Sequence, residues 1–325
     1  MSAESPAMTI ALLPFLNNTS DPAVVEVFEP LLRARLRELG IRVPNNETLR
    51  QVFRAHRIRA VGEIPTSGAR VLQSDLSAPF ALTGSYDVFL PHEAVPEAAL
   101  SLRLVDLSTM TVIWARSVGS TGKDYETLLG LGDVITMDGL AARLIDQASK
   151  GIIAAIEKSR ASSGEQGVRV AVIPFDDIVL DAPGSGIVTA QTITQLVDRG
   201  FTVMEPGAVR ELFFSFQRFP RGGIDYELLT ALHDSLAVRY VITGAVDRFR
   251  AGVPDVEQSY PSLAIHGRVI DTQTRRIRRA VDVSGDGDHE IALGMGNTHA
   301  AAGVTRATTS HMLNKLHLKE GARVQ

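Results

Sequence analysis

The segments "IALLPF" at residues 10–15 and "VAVIPF" at residues 170–175 are short apolar stretches, and each ends in Pro-Phe. Proline has no N–H group and a fixed φ, so a strand inside a sheet ends where proline appears. Each stretch is therefore predicted to be a buried strand that stops at its proline. The second stretch lies 160 positions after the first, and a repeated domain predicts further matches at that spacing.

Longer blocks match at the same spacing. The block "LRELGIRVPNNETLRQVF" at 36–53 aligns with "LVDRGFTVMEPGAVRELF" at 196–213, and "PFALTGSYDVF" at 79–89 aligns with "RYVITGAVDRF" at 239–249. Later blocks match after a small insertion, so that "RLVDLST" aligns with "RVIDTQT" and Asp106 with Asp271, 165 positions apart. The sequence therefore predicts two copies of one domain, which occupy residues 1–158 and 168–325. The polar, Ser/Gly-rich segment 159–167 is predicted to be the linker.

Each predicted copy has the same order of elements. A strand is followed by a helix that ends at Gly40 in the first copy and at Gly200 in the second, because glycine commonly follows the last helical residue. A short strand, further helical sequence and a run of strands joined by turns come next. A long closing helix is predicted in the first copy from apolar residues at every fourth position: Leu140, Leu144, Ala148, Ile152 and Ile156. This order predicts an α/β or α+β fold, in which a mixed sheet is flanked by helices.

The composition excludes several classes of protein. The chain is 45% hydrophobic and 22% charged, which is ordinary for a globular protein. Its net charge of −4 gives no general attraction to phosphate backbones, so no nucleic-acid partner is predicted. There is no run of about 18 apolar residues, and therefore no transmembrane segment is predicted. The absence of cysteine removes disulfides and thiolate metal ligands.

The order of motifs resembles a known family of bacterial domains. The succession of "VAVIPF", a helix ending in "LVDRGFTVMEP", "YVITGAV" and the strand pair "LRLVDLSTMTVIWA" is similar to the periplasmic domains of the curli secretion channel CsgG, the flagellar lipoprotein FlgO, the penicillin-binding-protein activator LpoB and the N-terminal domain of TolB. The matching positions are structural: Pro14-Phe15, Pro174-Phe175, Gly84 and Gly244. The loops of this chain are too short for the barrel hairpins of a curli-type channel.

The resemblance implies a non-enzymatic cell-envelope assembly or scaffold component that acts through protein contacts. It implies a periplasmic or outer-membrane-associated location, a protein partner from an envelope, secretion or flagellar-type assembly, and self-association. The segment "SAESPA" after Met1 would suit the start of a mature lipoprotein whose cysteine had been replaced, so a lipid anchor is expected in the full-length protein. A cytoplasmic location stays open. No catalytic residue, cofactor or metal is predicted.

The alternative interpretation is a small-ligand or nucleotide-binding regulatory module. The segment "PGSGIVTAQTI" at 183–193 places glycines before a helix, and the free N–H groups of a helix N-terminus can bind a phosphate. Thr189 stands where a dinucleotide fingerprint has its third glycine, however. A plain glycine loop is therefore favoured over a phosphate site.

An acidic turn is a second candidate for ligand binding. The segment "SGDGDHE" at 284–290 contains Asp286, Asp288, His289 and Glu290, whose side chains could bind a metal. It lacks the full pattern of a calcium-binding loop. A solvated turn is therefore favoured over a metal site.

A basic strand is predicted at "TRRIRRAVDV", residues 274–283, where the first copy has the apolar "TMTVIWARSV". Arg276 and Arg278 could face a negatively charged partner. Charges on a strand more often protect a sheet edge from unwanted pairing, and that interpretation is favoured. Both arginines are kept as candidate interface residues.

An aromatic segment, "ELFFSFQRF" at 211–219, distinguishes the second copy most clearly. Phe214, Phe216 and Phe219 align with Arg54, His56 and Arg59 of the first copy. At about 100° per residue, Phe213 and Phe214 diverge, so the phenylalanines cannot all face their own sheet. These aromatic residues are predicted to form a partner interface or to fill a seam between the two domains.

Overall fold

The computed structural model describes residues 8–91, 95–125, 134–161, 167–178, 184–219, 224–252, 259–288 and 300–318. The first half contains β1 (Ile10–Leu12), β2 (Leu16–Asn17), α1 (Ala23–Glu38), α2 (Asn46–His56), α3 (Thr66–Leu76), β3 (Phe80–Leu90), β4 (Glu97–Asp106), β5 (Thr111–Thr121), a short 3-10 helix (Gly122–Tyr125), α4 (Met137–Ala148) and α5 (Ile152–Ala161). The second half contains β6 (Arg169–Val172), β7 (Asp176–Asp177), α6 (Gly184–Asp198), β8 (Thr202–Met204), α7 (Pro206–Ser215), α8 (Tyr226–Leu236), β9 (Tyr240–Arg250), β10 (Ser262–Asp271), β11 (Arg276–Asp286) and α9 (Ala301–Lys315). The predicted mixed α/β class, with helices that flank a large sheet, is confirmed.

The described strands form one 11-stranded sheet in the order β1-β3-β4-β5-β8-β6-β9-β10-β11, with β2 beside β3 and β7 beside β9. The halves have the same strand order. In the first half, Thr9 forms a parallel bridge to Arg42, and β1, β3, β4 and β5 follow. In the second half, β8 takes the place of the Arg42 segment, and β6, β9, β10 and β11 follow. The strands with the Pro-Phe ends therefore have equivalent neighbours, although β6 is central in the sheet and β1 lies near its end.

The two halves join through a short antiparallel ladder between β5 and β8. Thr111 is opposite Met204, and Val112 is opposite Val203. One hydrophobic core includes buried side chains from both halves, such as Leu13 and Phe213. A second core lies in the first half between the sheet and the helices α1, α4 and α5.

The closing helix of the first half is broken. The predicted apolar series is buried, but α4 ends at Ala148 and α5 begins at Ile152. Gly151 between them has φ +92°, a backbone conformation that favours glycine. The prediction of one long helix was therefore wrong, because spacing alone does not show where the backbone turns.

Helix α5 also continues to Ala161, inside the segment predicted as a linker. Residues 162–166 of that segment lie outside the described residues. The helices α1 and α6 end just before Gly40 (φ +74°) and Gly200 (φ +81°), as the glycine pattern predicted. Left-handed backbone at a helix end satisfies the last carbonyl groups at little cost when the residue is glycine.

Candidate protein-contact surface

The first half is covered on one side by helices of the second half. Helix α6 packs against β5, β3 and β4, and α9 packs against β5 as well as β10 and β11. A buried hydrogen-bond network lies beneath α6. The carboxylate of Asp87 accepts hydrogen bonds from Ser85 (2.6 Å), Ser101 (2.6 Å) and Asn18 (3.1 Å), and burial raises its pKa to about 6.

The predicted loop glycines lie in the first turn of α6 and allow close packing there. Helix α6 begins at Gly184, and a Cβ there would lie 2.7 Å from the Cβ of Phe249. A Cβ on Gly186 would lie 2.8 Å from Asn18 of the first half. The carboxylate of Asp177 accepts hydrogen bonds from the N–H group of Ser185 (2.9 Å) and from its hydroxyl (2.6 Å). The helix N-terminus proposed for phosphate therefore already holds a carboxylate, and Pro183 of the motif lies outside the described residues.

A cleft of about 330 Å³ opens beside this helix N-terminus, between the two halves. Its polar lining residues already contact other protein groups: Asn18 donates to Asp87, Arg103 pairs with Glu205, and Asp177 binds Ser185. Glu63 lies 3.0 Å from Arg210, and burial raises its pKa. These contacts hold the walls of the cleft in place.

The acidic turn is only partly described. Asp286 ends β11 and Asp288 is exposed, whereas His289 and Glu290 lie outside the described residues. Among the residues that the structure describes, no group of three or more His, Asp or Glu side chains is arranged to hold a metal ion. In the same part of the chain, no helix has both the length and the apolar character needed to cross a membrane.

The aromatic segment divides at the end of α7. Phe213 is fully buried, and Phe216 packs at the margin of the core. Phe214 and Phe219 are 50% and 76% exposed, and their rings meet edge to face with centroids 5.9 Å apart. The pair therefore lies on the surface and does not fill the seam between the halves. The aligned side chains Arg54, His56 and Arg59 of the first half are also exposed.

The basic strand is β11, which ends the sheet of described strands. Arg276 and Arg278 are exposed, and Arg278 donates to the Tyr240 hydroxyl at 2.6 Å. Between them, Ile277 is 57% exposed. The edge position that the charges suggested is therefore observed.

A chain of contacts connects the aromatic pair with this strand. Arg218, beside Phe219, pairs with Asp225 at 3.3 Å. The next residue, Tyr226, is exposed and lies under the guanidinium of Arg275 at 4.1 Å from the ring centroid. We call Phe214, Phe219, Tyr226 and Arg275 the aromatic–arginine face. Sequence reasoning missed Tyr226, because it aligns with Thr66 and contacts an arginine 49 positions away.

No model of a known protein family matches the chain, and no curated protein matches it. Among solved structures, the chain is similar to the PelC dodecamer from Paraburkholderia phytofirmans at 16% identity, with 44% of this chain and 84% of that chain covered and a TM-score of 0.30. It is similar to lipoprotein GNA1162 from Neisseria meningitidis at 17% identity (48% and 99% covered, TM-score 0.32) and to the LpoB C-terminal domain from Escherichia coli at 11% (40% and 90% covered, TM-score 0.26). Likeness at this level assigns neither a family nor a function.

Proposed function

We propose that this chain is a non-enzymatic component of the bacterial cell envelope, built from two copies of one domain, and that it binds another protein through the aromatic–arginine face. One observation carries the proposal: Phe214 and Phe219 meet edge to face on the surface, at positions where the first half has arginines. The envelope location is supported by the resemblance of the sequence motifs.

The chemistry of the face suggests the kind of partner. An exposed aromatic pair loses the benefit of burial, which is about 1.5–3 kcal/mol for each large apolar side chain. Tyr226 and the arginines beside it add the residue types that are enriched at the centres of protein interfaces. We infer a partner that presents apolar side chains flanked by carboxylates, since these complement phenylalanine and arginine respectively.

The test replaces Phe214 with the photo-crosslinking residue p-benzoylphenylalanine in the full-length protein, inside the bacterium that makes it. We expect one adduct of defined mass in the envelope fraction, and we expect Phe219→Arg to abolish it. The same residue at Arg54 is the matched control, because Arg54 aligns with Phe214 and is also exposed.

The variant Phe214→Arg/Phe219→Arg should keep the unfolding midpoint of the wild type, because half or more of each side chain is already exposed. Equal adducts at positions 54 and 214, or none at position 214, would overturn the proposal. An adduct of twice the chain mass would identify a second copy and would also overturn the choice of a different protein as partner.

A further inference from the structure

We propose that β11 of one molecule pairs, antiparallel, with the segment Val43–Asn45 of a second molecule, and so repeats between chains the β5–β8 ladder that joins the two halves. This inference goes beyond the proposed function, because it concerns a different surface and a second copy of the chain. It rests on the geometry of the internal ladder.

The internal ladder shows which groups of β5 face β8. The N–H group of Glu205 donates to the carbonyl of Met110 at 2.9 Å. In antiparallel pairing, alternate residues face the same neighbour, so Val112 also faces β8. The side chain of Val112 is buried beneath this junction, at 4% exposure.

Strand β11 reproduces the shape of β5 at the aligned positions, 165 residues later. Met110 and Arg275 have left-handed backbone, with φ of +55° and +57°. The pairing register of β4 with β5 shifts between Leu104 and Val105, and that of β10 with β11 shifts between the aligned residues Val269 and Ile270. A bulge and a positive φ at the same places give both strands the same outward edge.

Strands β5 and β11 differ in whether another strand pairs with their outer edge. Among the described residues, β5 has β8 on its outer side, whereas β11 has no strand there. Ile277 aligns with the buried Val112 and is 57% exposed. The outer edge of β11 therefore has an exposed apolar side chain and backbone groups in the same arrangement as the edge of β5 that pairs with β8.

The opposite end of the sheet offers the complementary strand. In the internal ladder this role belongs to Val203, Met204 and Glu205, which align with Val43, Pro44 and Asn45. The N–H of Arg42 donates to Met8 and its carbonyl accepts from Ile10, so Arg42 faces β1 and Val43 faces outward. Pro44, like Met204, stands at a position whose backbone points away from the new ladder. Its missing N–H group does not block pairing.

Among the described residues, one face of β10 and β11 is also open, whereas α9 packs against the other face. In the first half, Ser101 and Ser117 lie beneath α6, where Ser117 contacts Thr194 at 3.0 Å. The aligned residues of the second half are His266 and Asp282, and both are exposed. In a repeated junction, α1 of the second molecule would take the place of α6 over this charged face.

The junction between molecules should be weaker than the internal one. Glu205, which pairs with the buried Arg103, aligns with Asn45, which instead caps α2 by accepting from the N–H of Thr48 at 2.7 Å. The ionic contact is therefore not repeated. We expect reversible association that depends on protein concentration.

The test uses the absence of native cysteine. Thr111 and Met204 form a directly opposed pair, so Arg276 and Pro44 should lie opposite each other between molecules. The Cα atoms of such a pair are about 4.5–5.5 Å apart, within the range of a disulfide. Mixing Pro44→Cys with Arg276→Cys under mild oxidation should give a covalent dimer at least about tenfold faster than either variant alone, because pairing raises the effective concentration. A chain carrying both substitutions should give a ladder of multimers.

Two controls define the outcome. Thr111→Cys/Met204→Cys should form the corresponding disulfide within one chain, and Lys150→Cys with Pro44→Cys should react only at the slow rate of random collision.

Two variants of the β11 edge test the pairing itself. Ile277→Pro removes an outward-facing N–H group, and Ile277→Lys adds a charge to the edge but keeps that group. Each should weaken self-association at least about tenfold by sedimentation, which corresponds to about 1.4 kcal/mol, with an unchanged unfolding midpoint.

A monomer at all concentrations, or cross-linking of the Lys150 control as fast as the Arg276 pair, would overturn the inference. Phe214→Arg/Phe219→Arg should leave the cross-link intact, whereas Ile277→Lys should leave the photo-adduct at position 214 intact. The failure of this inference is therefore distinguishable from the failure of the proposed function.

Discussion

Replacing Glu205 with alanine should break a buried contact between the two halves. The Glu205 carboxylate is fully buried and accepts from the Nε of Arg103 at 2.9 Å, from its Nη2 at 3.0 Å and from the N–H of Ile64 at 3.0 Å. Both donors belong to the first half. The Glu205 carboxylate raises the pKa of the Arg103 guanidinium against the opposing effect of burial, so Arg103 stays charged.

The expected loss of stability is large because the substitution leaves the buried charge of Arg103 without its partner. Removing one partner of a buried ion pair costs about 3–5 kcal/mol, whereas the free energy of unfolding of a whole domain is only about 5–15 kcal/mol. Glu205→Ala should therefore lower the free energy of unfolding by roughly 3–5 kcal/mol in urea titrations followed by circular dichroism. The double variant Arg103→Met/Glu205→Leu should recover most of that loss, because it removes both charges and keeps apolar volume.

The matched control is Glu47→Ala, which breaks the exposed pair with Arg50 and should cost less than about 1 kcal/mol. If Glu205→Ala costs no more than this control, the buried pair does not join the halves and the description of the junction is wrong. If the double variant is as unstable as Glu205→Ala, the loss of stability comes from packing and not from the unpaired charge of Arg103.

Three further predictions follow from buried or crowded positions. Burial raises the pKa of Glu97 to about 7 from 4.5, so its contribution to stability is complete below pH 4.5 and is lost as the pH rises through 7. The wild type should therefore lose stability between pH 5 and 8 in urea titrations. Glu97→Gln stays neutral and should remove roughly 2–3 kcal/mol of that loss. Gly119→Ala, whose Cβ would lie 2.4 Å from that of Ala302, should cost roughly 2–3 kcal/mol, against about 1 for Gly40→Ala, which meets no atom within 4 Å but has φ +74°; an equal cost would contradict the packing of α9. Because Asp177 occupies the N-terminus of α6, ATP and Mg²⁺ should leave the melting temperature unchanged, and a rise that grows with ATP concentration would favour the ligand-binding alternative.

Local chemistry made part of the fold predictable from sequence. Proline ends the strands at Pro14 and Pro174, and glycine accepts the left-handed backbone that ends α1 and α6. The break at Gly151 was not predictable, because the apolar spacing continues across it and only the backbone changes direction. The periodicity of side chains reports which face is buried, and it does not report whether the helix is continuous.

The junction between the halves was beyond sequence reasoning for a different reason. It includes two opposed residue pairs and a buried ion pair between positions 102 apart. None of these residues forms a local motif, since Glu205 reads as an ordinary polar residue before a helix. Its buried position becomes visible only when β8 is placed beside β5.

The sequence indicated which residue types form the candidate contact surface, but it did not show which of them are exposed. The replacement of Arg54 and Arg59 by phenylalanine indicated an unusual surface, and the 100° spacing indicated that Phe213 and Phe214 point apart. Neither observation could show which of the two side chains is buried, because that depends on how α7 packs against α8, α3 and β6. The structure turns Phe213 inward and leaves Phe214 in solvent.

Aligned positions in the two halves of the sheet show how the halves differ. Where α6 covers the first half, the sheet carries the small side chains of Ser101 and Ser117, because a helix can approach closely only over small residues. At the aligned positions of the second half, His266 and Asp282 are large and charged, and His266 also pairs with Asp247 at 2.5 Å. The hydrogen bond that the Asp282 carboxylate accepts from the imidazole is the main cause that raises the pKa of His266, so acidification favours the charged imidazole on this open face. Any element that covers this face of the second half must therefore accommodate charge at the place where the first half accepts a closely packed helix.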